Sequence, residues 1–374
     1  MRCMLVAGAR PNFMKVAPVL RALAGAGHET VLVHTGQHYD VRMSDAFFRD
    51  LELPEPDHHL GVGSGSHAVQ TARVMEAFEP VLRSVRPDWL IVVGDVNSTL
   101  ACALVAVKLR EELGVRTAHV EAGLRSRDWR MPEEVNRVIT DRISDLLLTP
   151  SHDAHPNLAA EGIPEERIRF VGNVMIDTLL HQRERARAEG ILERLELERG
   201  RYALATLHRP SNVDDPDALR EVLAGFDRIA AEMPLVLPIH PRTRKQVAEF
   251  GLNGEMERLT VIEPVGYREM VALTEGAAAV LTDSGGLQEE TTGLGVPCVT
   301  LREQTERPVT IDEGTNRLAP WPLTADGIEE SFREAMDARR DEFSPPDGWD
   351  GGAAERIVGV LEELRAEAKS PVPA

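Results

Sequence analysis

The chain has 374 residues, of which 43% are hydrophobic, 28% charged and 4% aromatic; this is a soluble globular composition and excludes a disordered or fibrous protein. The length fits two domains of moderate size better than one. With 42 basic and 61 acidic residues the formal charge is −19, a surface that repels nucleic acid and requires any basic contacts to an anionic ligand to be gathered locally.

The first apolar run, Cys3–Ala7, passes at once into Gly8-Ala9-Arg10-Pro11, which is not the shape of a signal peptide. Further runs at Thr30–His34, Leu90–Val93, Arg116–Val120 and Leu146–Leu148 read as buried strands, with helical stretches at Phe13–Ala26, His67–Val85 and Thr99–Glu112 between them. The second half repeats the rhythm. Strands are expected at Tyr202–Thr206, Leu235–Pro238, Leu259–Ile262, Ala278–Leu281 and Pro297–Thr300, and helices at Asp214–Ala231, Tyr267–Gly276 and Leu287–Leu294. Glu184–Arg201 is strongly charged and reads as a solvated helix and loop. Ala353–Ala368 carries one apolar stripe, Ile357, Val360, Leu361 and Leu364, and the residues after it should fray.

Strand–helix alternation of this kind predicts an α/β fold: two Rossmann-like, doubly wound parallel-sheet domains facing a cleft. The junction is expected near Val171-Gly172-Asn173, giving domains at 1–171 and 172–352 and a C-terminal helix with a tail at 353–374. No apolar run approaches the ~20 residues of a membrane helix. Cys3, Cys102 and Cys298 lie far apart in apolar surroundings and read as reduced core thiols, so a cytoplasmic protein with no membrane partner is expected.

In open α/β sheets ligands bind beyond the carboxyl ends of the strands. Gly8–Lys15 follows the first strand and opens a helix. Its glycine, its proline and the cations Arg10 and Lys15 suit an anion, or equally a plain strand–helix turn with two solvated cations. It is not the G-x-G-x-x-G dinucleotide fingerprint. Gly61-Val62-Gly63-Ser64-Gly65 reads as a flexible loop, because no convincing strand precedes it.

Asp95 follows a buried strand, with Asn97 or Ser98 expected to cap the next helix; Glu121 ends another strand; Glu133 and Glu134 follow Pro132 at a helix start. Each alone has a bland reading, as a turn residue or an answer to the helix dipole. Three acidic sites at the same end of one sheet are what acid–base catalysis demands. In the second domain His208-Arg209 and His240-Pro241-Arg242 stand at strand ends. Thr282-Asp283-Ser284-Gly285-Gly286 runs from a strand straight into a helix, where small residues let a phosphate reach backbone amides. Glu290, one turn on, could accept ribose hydroxyls, and Arg307 offers another cation. His152 and His155 lack a completing ligand set, so no metal site is expected.

Taken in order, Gly8–Lys15, Gly94–Thr99, His119–Ser126, Pro132–Arg137, Gly172–Asp177, His208–Pro210, Asp283–Glu290 and Thr305–Pro308 resemble the non-hydrolysing UDP-N-acetylglucosamine 2-epimerases over nearly the whole chain. The resemblance implies a glycosyltransferase-B-like fold, nucleotide bound mainly by the second domain, a C-terminal helix returning to the first, and a homodimer. It also implies a reaction without NAD, metal or other cofactor: loss of the C2 proton and of UDP, a bound 2-acetamidoglycal, then re-addition to give the C2 epimer. On this basis Asp95, Glu121, Glu133 and His208 are expected to be catalytic, and Arg10, Lys15, Ser284, Gly285, Gly286, Glu290 and Arg307 to bind the UDP-sugar. Which carboxylate serves which face of C2 stays open, as does the sugar, since relatives act on acidic diacetamido sugars. A hydrolysing epimerase and a glycosyltransferase of the same fold are the rival activities. One departure stands out. Many members place two glutamines for an activating second substrate shortly after a Gln-His pair, but here Gln37-His38 continues Tyr39-Asp40-Val41-Arg42-Met43-Ser44-Asp45, so substrate activation is not expected.

Overall fold

The computed structural model describes residues 1–37, 50–338 and 343–369. The chain forms two compact units, residues 1–178 with 347–374, and residues 179–346.

The first unit holds seven strands: β1 (Arg2–Ala7), β2 (Glu29–His34), β3 (His58–His59), β4 (Trp89–Val93), β5 (Arg116–Val120), β6 (Leu146–Thr149) and β7 (Ile168–Phe170). They lie in the order β3-β2-β1-β4-β5-β6-β7, and every pairing is parallel. The second unit holds β8 (Ala203–Thr206), β9 (Leu235–Pro238), β10 (Thr260–Ile262), β11 (Ala279–Thr282), β12 (Cys298–Thr300) and β13 (Asn316–Leu318), in the order β10-β9-β8-β11-β12-β13, again all parallel. Both orders are the 3-2-1-4-5-6 winding of a Rossmann-like sheet. The two-domain, doubly wound α/β expectation is met.

The helices that matter here are α1 (Arg10–Gly25), α2 (His67–Val85), α3 (Asn97–Leu113), α4 (Pro132–Ile143), α5 (Val174–Arg187), α6 (Pro216–Ala230), α7 (Pro241–Glu249), α8 (Tyr267–Gly276), α9 (Gly285–Leu294), α10 (Ala325–Asp337) and α11 (Ala353–Lys369). β4 is buried along its whole length, Trp89 to Val93, because helices cover both faces of a parallel sheet. Val74, Phe78 and Leu82 recur every four residues along α2 and pack with Met4, Val33, Leu90 and Val92. In the second unit Leu219, Val222, Leu223, Phe226 and Ile229 of α6 pack with Leu235, Leu237, Leu281 and Ile328.

Three strands escape the sequence pattern. β3 and β7 are edge strands of two and three residues, and β13 reads Asn-Arg-Leu. The charged stretch after residue 184 is the end of a helix that begins ten residues earlier, at Val174, followed by a short turn whose Ile191 and Leu192 are buried.

In each sheet the winding reverses between the first strand and the fourth. That places the loops after β1 and β4, and after β8 and β11, at the points where such sheets bind ligands.

Candidate active site

In the first unit the loops after β1, β4 and β5 are knitted together. Lys15, on the second turn of α1, puts Nζ 2.7 Å from the Glu121 carboxylate, and both side chains are buried. Gly94, at φ +63, leaves the room: a Cβ there would lie 2.8 Å from Lys15 Nζ. Glu121 itself has φ +68, a left-handed backbone that a non-glycine residue holds only when its surroundings enforce it.

Asp95 is three-quarters buried, and Arg137 donates from Nε to its Oδ2 at 3.1 Å. Asn136 donates to the Asp95 carbonyl at 2.8 Å. Arg137 also holds Glu134 at 2.7 Å. Glu134 accepts from the Ser126 amide and hydroxyl and from the Arg127 amide, so it braces the loop leading to α4. Glu133, its neighbour, is only half-buried on the other side of the helix start. Thus α4 carries Glu133 and, one turn on, the pair that fixes Asp95.

The expected capping after β4 is different. Val96 holds the N-cap position without a side-chain bond. Asn97 instead bonds Gln70 and Asn136, and Ser98 bonds Gln37 and Thr35, because both lie inside the buried first turn of α3. Around β1, Asn12 accepts from the Gly8 and Ala9 amides and donates to Val93 O. Those two amides are therefore occupied by the protein itself, and Lys15 is committed to Glu121. The Arg10 side chain and residues 38–45 lie outside the described residues.

In the second unit Asp283 is the hub. It follows β11, is fully buried, and accepts from the amides of His208 (3.0 Å) and Arg209 (2.7 Å) and from Asn212 Nδ2 (3.2 Å). Its Oδ1 also lies 2.8 Å from His208 Nδ1. Burial pushes the Asp283 carboxyl up, but His208 and these amides outweigh it and hold the group below its ordinary range. With Nδ1 engaged, Nε2 is the nitrogen His208 has for a ligand.

Ser284 then starts α9 with no side-chain cap, so the first amides of the helix are open to an anion. Gly285 packs against Arg307: a Cβ there would sit 2.8 Å from Nη1. Arg307 reaches Glu289 at 3.0 Å and Glu306 at 2.5 Å. Glu290 is fully buried; burial above all, then its neighbour Glu289, pushes its carboxyl up to about 8, against the pull of the Tyr267 hydroxyl. His240 caps α7 through its own Nδ1 and lies 5.5 Å, ring to ring, from His208.

His152 and His155 turn to different carboxylates, Asp347 and Glu165. Among the described residues no cluster of His, Cys, Asp and Glu could hold a metal ion, and no helix is long and apolar enough to cross a membrane.

From sequence, Asp283, Arg137 and Asn12 stood only as members of longer motifs, and Glu134 only as an answer to the helix dipole. Their signal is weak, since each works through a partner distant in the chain. The spacing of Glu133, Arg137 and Asp141 by four along α4 was the one legible cue.

Two 3-2-1-4-5-6 sheets in one chain, each with its polar cluster at the switch point, define an α/β protein of the glycosyltransferase-B-like class. The pattern of the UDP-N-acetylglucosamine 2-epimerase family matches residues 21–362, and the chain belongs to that family. It is 40% identical to the UDP-N-acetylglucosamine 2-epimerase of Methanocaldococcus jannaschii, over 96% of this chain and 99% of that one. A crystal structure of that archaeal enzyme in complex with UDP-GlcNAc and UDP superposes with a TM-score of 0.87, at 39% identity, over 97% of this chain and 100% of the other. The chain is also 40% identical to a UDP-2,3-diacetamido-2,3-dideoxy-D-glucuronate 2-epimerase of Pseudomonas aeruginosa, over 97% of this chain and 100% of the relative.

Proposed function

We propose that the protein is a non-hydrolysing epimerase that interconverts UDP-GlcNAc and UDP-ManNAc. The observation that carries the reading is the carboxylate set at the end of the first sheet, where Asp95 and Glu121 are each held by a buried cation and Glu133 stands on the helix that fixes Asp95.

Inversion at C2 needs a base to take the proton from one face and an acid to return it to the other, and these carboxylates supply both roles. As the C2–H bond breaks, its electrons form the C1–C2 double bond, and the C1–O bond breaks with its pair left on the diphosphate. The 2-acetamidoglycal stays bound. UDP then re-adds to C1 while C2 is protonated on the opposite face. No hydride moves at any step.

Negative charge grows on the leaving diphosphate. The open amides at the start of α9, His208 Nε2 and Arg307 are the second unit's means of meeting it, joined in the proposal by Arg10, while Glu290 accepts from the ribose. Lys15 acts on Glu121. The proposal includes a cytoplasmic homodimer, which sedimentation equilibrium checks for assembly.

The Pseudomonas aeruginosa relative supports a second sugar, a UDP-2,3-diacetamido uronate, at the same level of identity. Incubating the pure protein with each sugar in D2O, and following deuterium at C2 and the epimer by NMR, decides between them. Exchange with UDP-GlcNAc and no build-up of free UDP is expected. Free UDP accumulating in step with the new sugar would replace the reading with a hydrolysing one, and an inert UDP-GlcNAc would overturn it.

A further inference from the structure

We propose that Asp141 is a positioning residue that sets two reactive carboxylates at once, reaching the Asp95 turn through His119 and the Glu121 turn directly. The proposal rests on the epimerase reading and adds to it a role for two groups that touch no substrate.

Asp141 lies on α4, eight residues after Glu133 and four after Arg137, on the buried face of the helix. Its Oδ1 is 2.6 Å from His119 Nδ1, and His119 Nε2 is 2.8 Å from the carbonyl oxygen of Gly94, the residue before Asp95. Its Oδ2 accepts from the Gly123 amide at 3.1 Å, two residues after Glu121, and from Arg125 at 2.7 Å. His119 and Asp141 have no exposed surface at all, so neither reaches a ligand.

The turns they hold are conformationally demanding. Gly94, Glu121 and Gly123 all have positive φ, at +63, +68 and +85, and Glu121 has no glycine's freedom to do so. Backbone bonds from Gly94 to Val120, and from Glu121 and Ala122 to Leu148, anchor the strand ends, and Asp141 with His119 adds a side-chain brace. Asp141 touches one turn by a direct bond and the other through a rigid ring, so a shift of α4 moves both together. Arg137 on the same helix grips the Asp95 side chain, and α4 thereby becomes the common reference for Asp95, Glu121 and Glu133.

His119 is engaged at both ring nitrogens, Nδ1 by the Asp141 carboxylate and Nε2 by the Gly94 carbonyl, so the ring has one orientation between them. The remaining charges are balanced locally, Arg125 by Asp141 and by a two-pronged pair with Glu161 at 2.7 and 2.8 Å. A buried ionic network is a weak source of net stability, and the bonds of this one run to the two turns, which points to geometry as its task.

The test uses the full-length protein and Asp141→Asn, which keeps the shape and loses the charge. By analogy with outer-sphere residues that orient reactive ligands, kcat should fall about 10–100-fold in both directions, with KM for the sugar nucleotide and the Kd of UDP within about threefold. Ile168→Ala, a truncation in the same unit's core, should lower Tm while leaving kcat within about twofold. Histidine-selective 15N NMR, with His119 assigned by His119→Gln, should show the His119 resonances shifted in Asp141→Asn and unmoved in Ile168→Ala. Wild-type kcat in a folded Asp141→Asn protein overturns the proposal, and so does a His119 signal that Asp141→Asn leaves in place. If Asp141→Asn does not fold, His119→Gln carries the test, and wild-type kcat in that variant overturns the proposal. A wild type that exchanges no C2 hydrogen breaks the epimerase reading instead, and the His119 signal still judges the brace.

Discussion

Lys15 and Glu121, 106 positions apart in the chain, meet as a buried ion pair at 2.7 Å, and the Glu121 backbone is left-handed. A buried pair is a poor source of net stability, yet removing one partner strands the other charge. Lys15→Met and Glu121→Gln should each destabilise the protein by about 3–5 kcal/mol, and the double variant by clearly less than their sum. Glu121→Gln should also lower kcat about 10²–10⁴-fold, the usual worth of an acid–base group. Denaturant melts and turnover of the three variants measure this; strictly additive losses would show that the pair does not act as one unit.

Adjacent glutamates on α4 should separate cleanly. Among the described residues the Glu133 side chain has no hydrogen-bonded partner, whereas Glu134 accepts from Ser126, Arg127 and Arg137. Glu133→Gln should behave like Asp95→Asn, losing about 10²–10⁴-fold in kcat at nearly unchanged Tm. Glu134→Gln weakens a bond to a charged donor and should lower stability by about 1.5–3 kcal/mol. If Glu133→Gln is the variant that melts early, the division of labour is reversed.

Much of this was legible in the sequence. Buried parallel strands such as Trp89–Val93 and Leu235–Pro238 are short runs of apolar residues, and the helices between them carry a single apolar stripe, so both sheets could be read off. The acids drew attention because ligands of such sheets bind beyond the strand ends. What stayed hidden was which side chain answers which. Lys15 looked like a phosphate ligand and sits on Glu121; Asn97 looked like a cap and is a link in a buried chain of amides; Asp283 passed as the start of a small-residue loop and anchors His208. These partners are far apart in sequence and their bonds follow from packing, which no local pattern encodes. The short strands β3, β7 and β13 escaped because an edge strand of two or three residues has too few positions to show a period.

Asp283 and His208 should prove to be one functional unit. Asp283→Asn keeps the shape but gives up the charge that sits on His208 Nδ1. On the proposed reading, in which His208 Nε2 meets the diphosphate, we expect Asp283→Asn to lower kcat by at least about tenfold, and His208→Gln added to it to cost little more. Turnover of the two single variants and the double variant is the measurement. Multiplying losses would mean that the two residues act separately.

On the proposed reading Glu290 ties both the fold and nucleotide binding to pH. Its carboxyl stands at about 8 in the folded protein, pushed there chiefly by burial, against about 4.3 for an ordinary glutamate. Between those values the folded chain holds a proton that the unfolded chain has released. Stability must therefore fall as pH rises from about 4.3 to about 8, with no further change from this group above that. Asp177, raised to about 6 by burial, bends the same curve at its lower end, so the informative quantity is the difference between wild type and Glu290→Gln. That variant cannot titrate, and its stability should decline less steeply across the window. Binding should run the opposite way. A ribose hydroxyl needs the carboxylate as its acceptor, so UDP should bind more tightly as pH rises towards 8 and release a proton when it binds at pH 6. Calorimetry in buffers of different ionisation enthalpy counts that proton. Glu290→Gln should bind UDP more weakly and without proton release, and Glu290→Ala more weakly still. Equal proton release from wild type and Glu290→Gln would place the ribose against some other group.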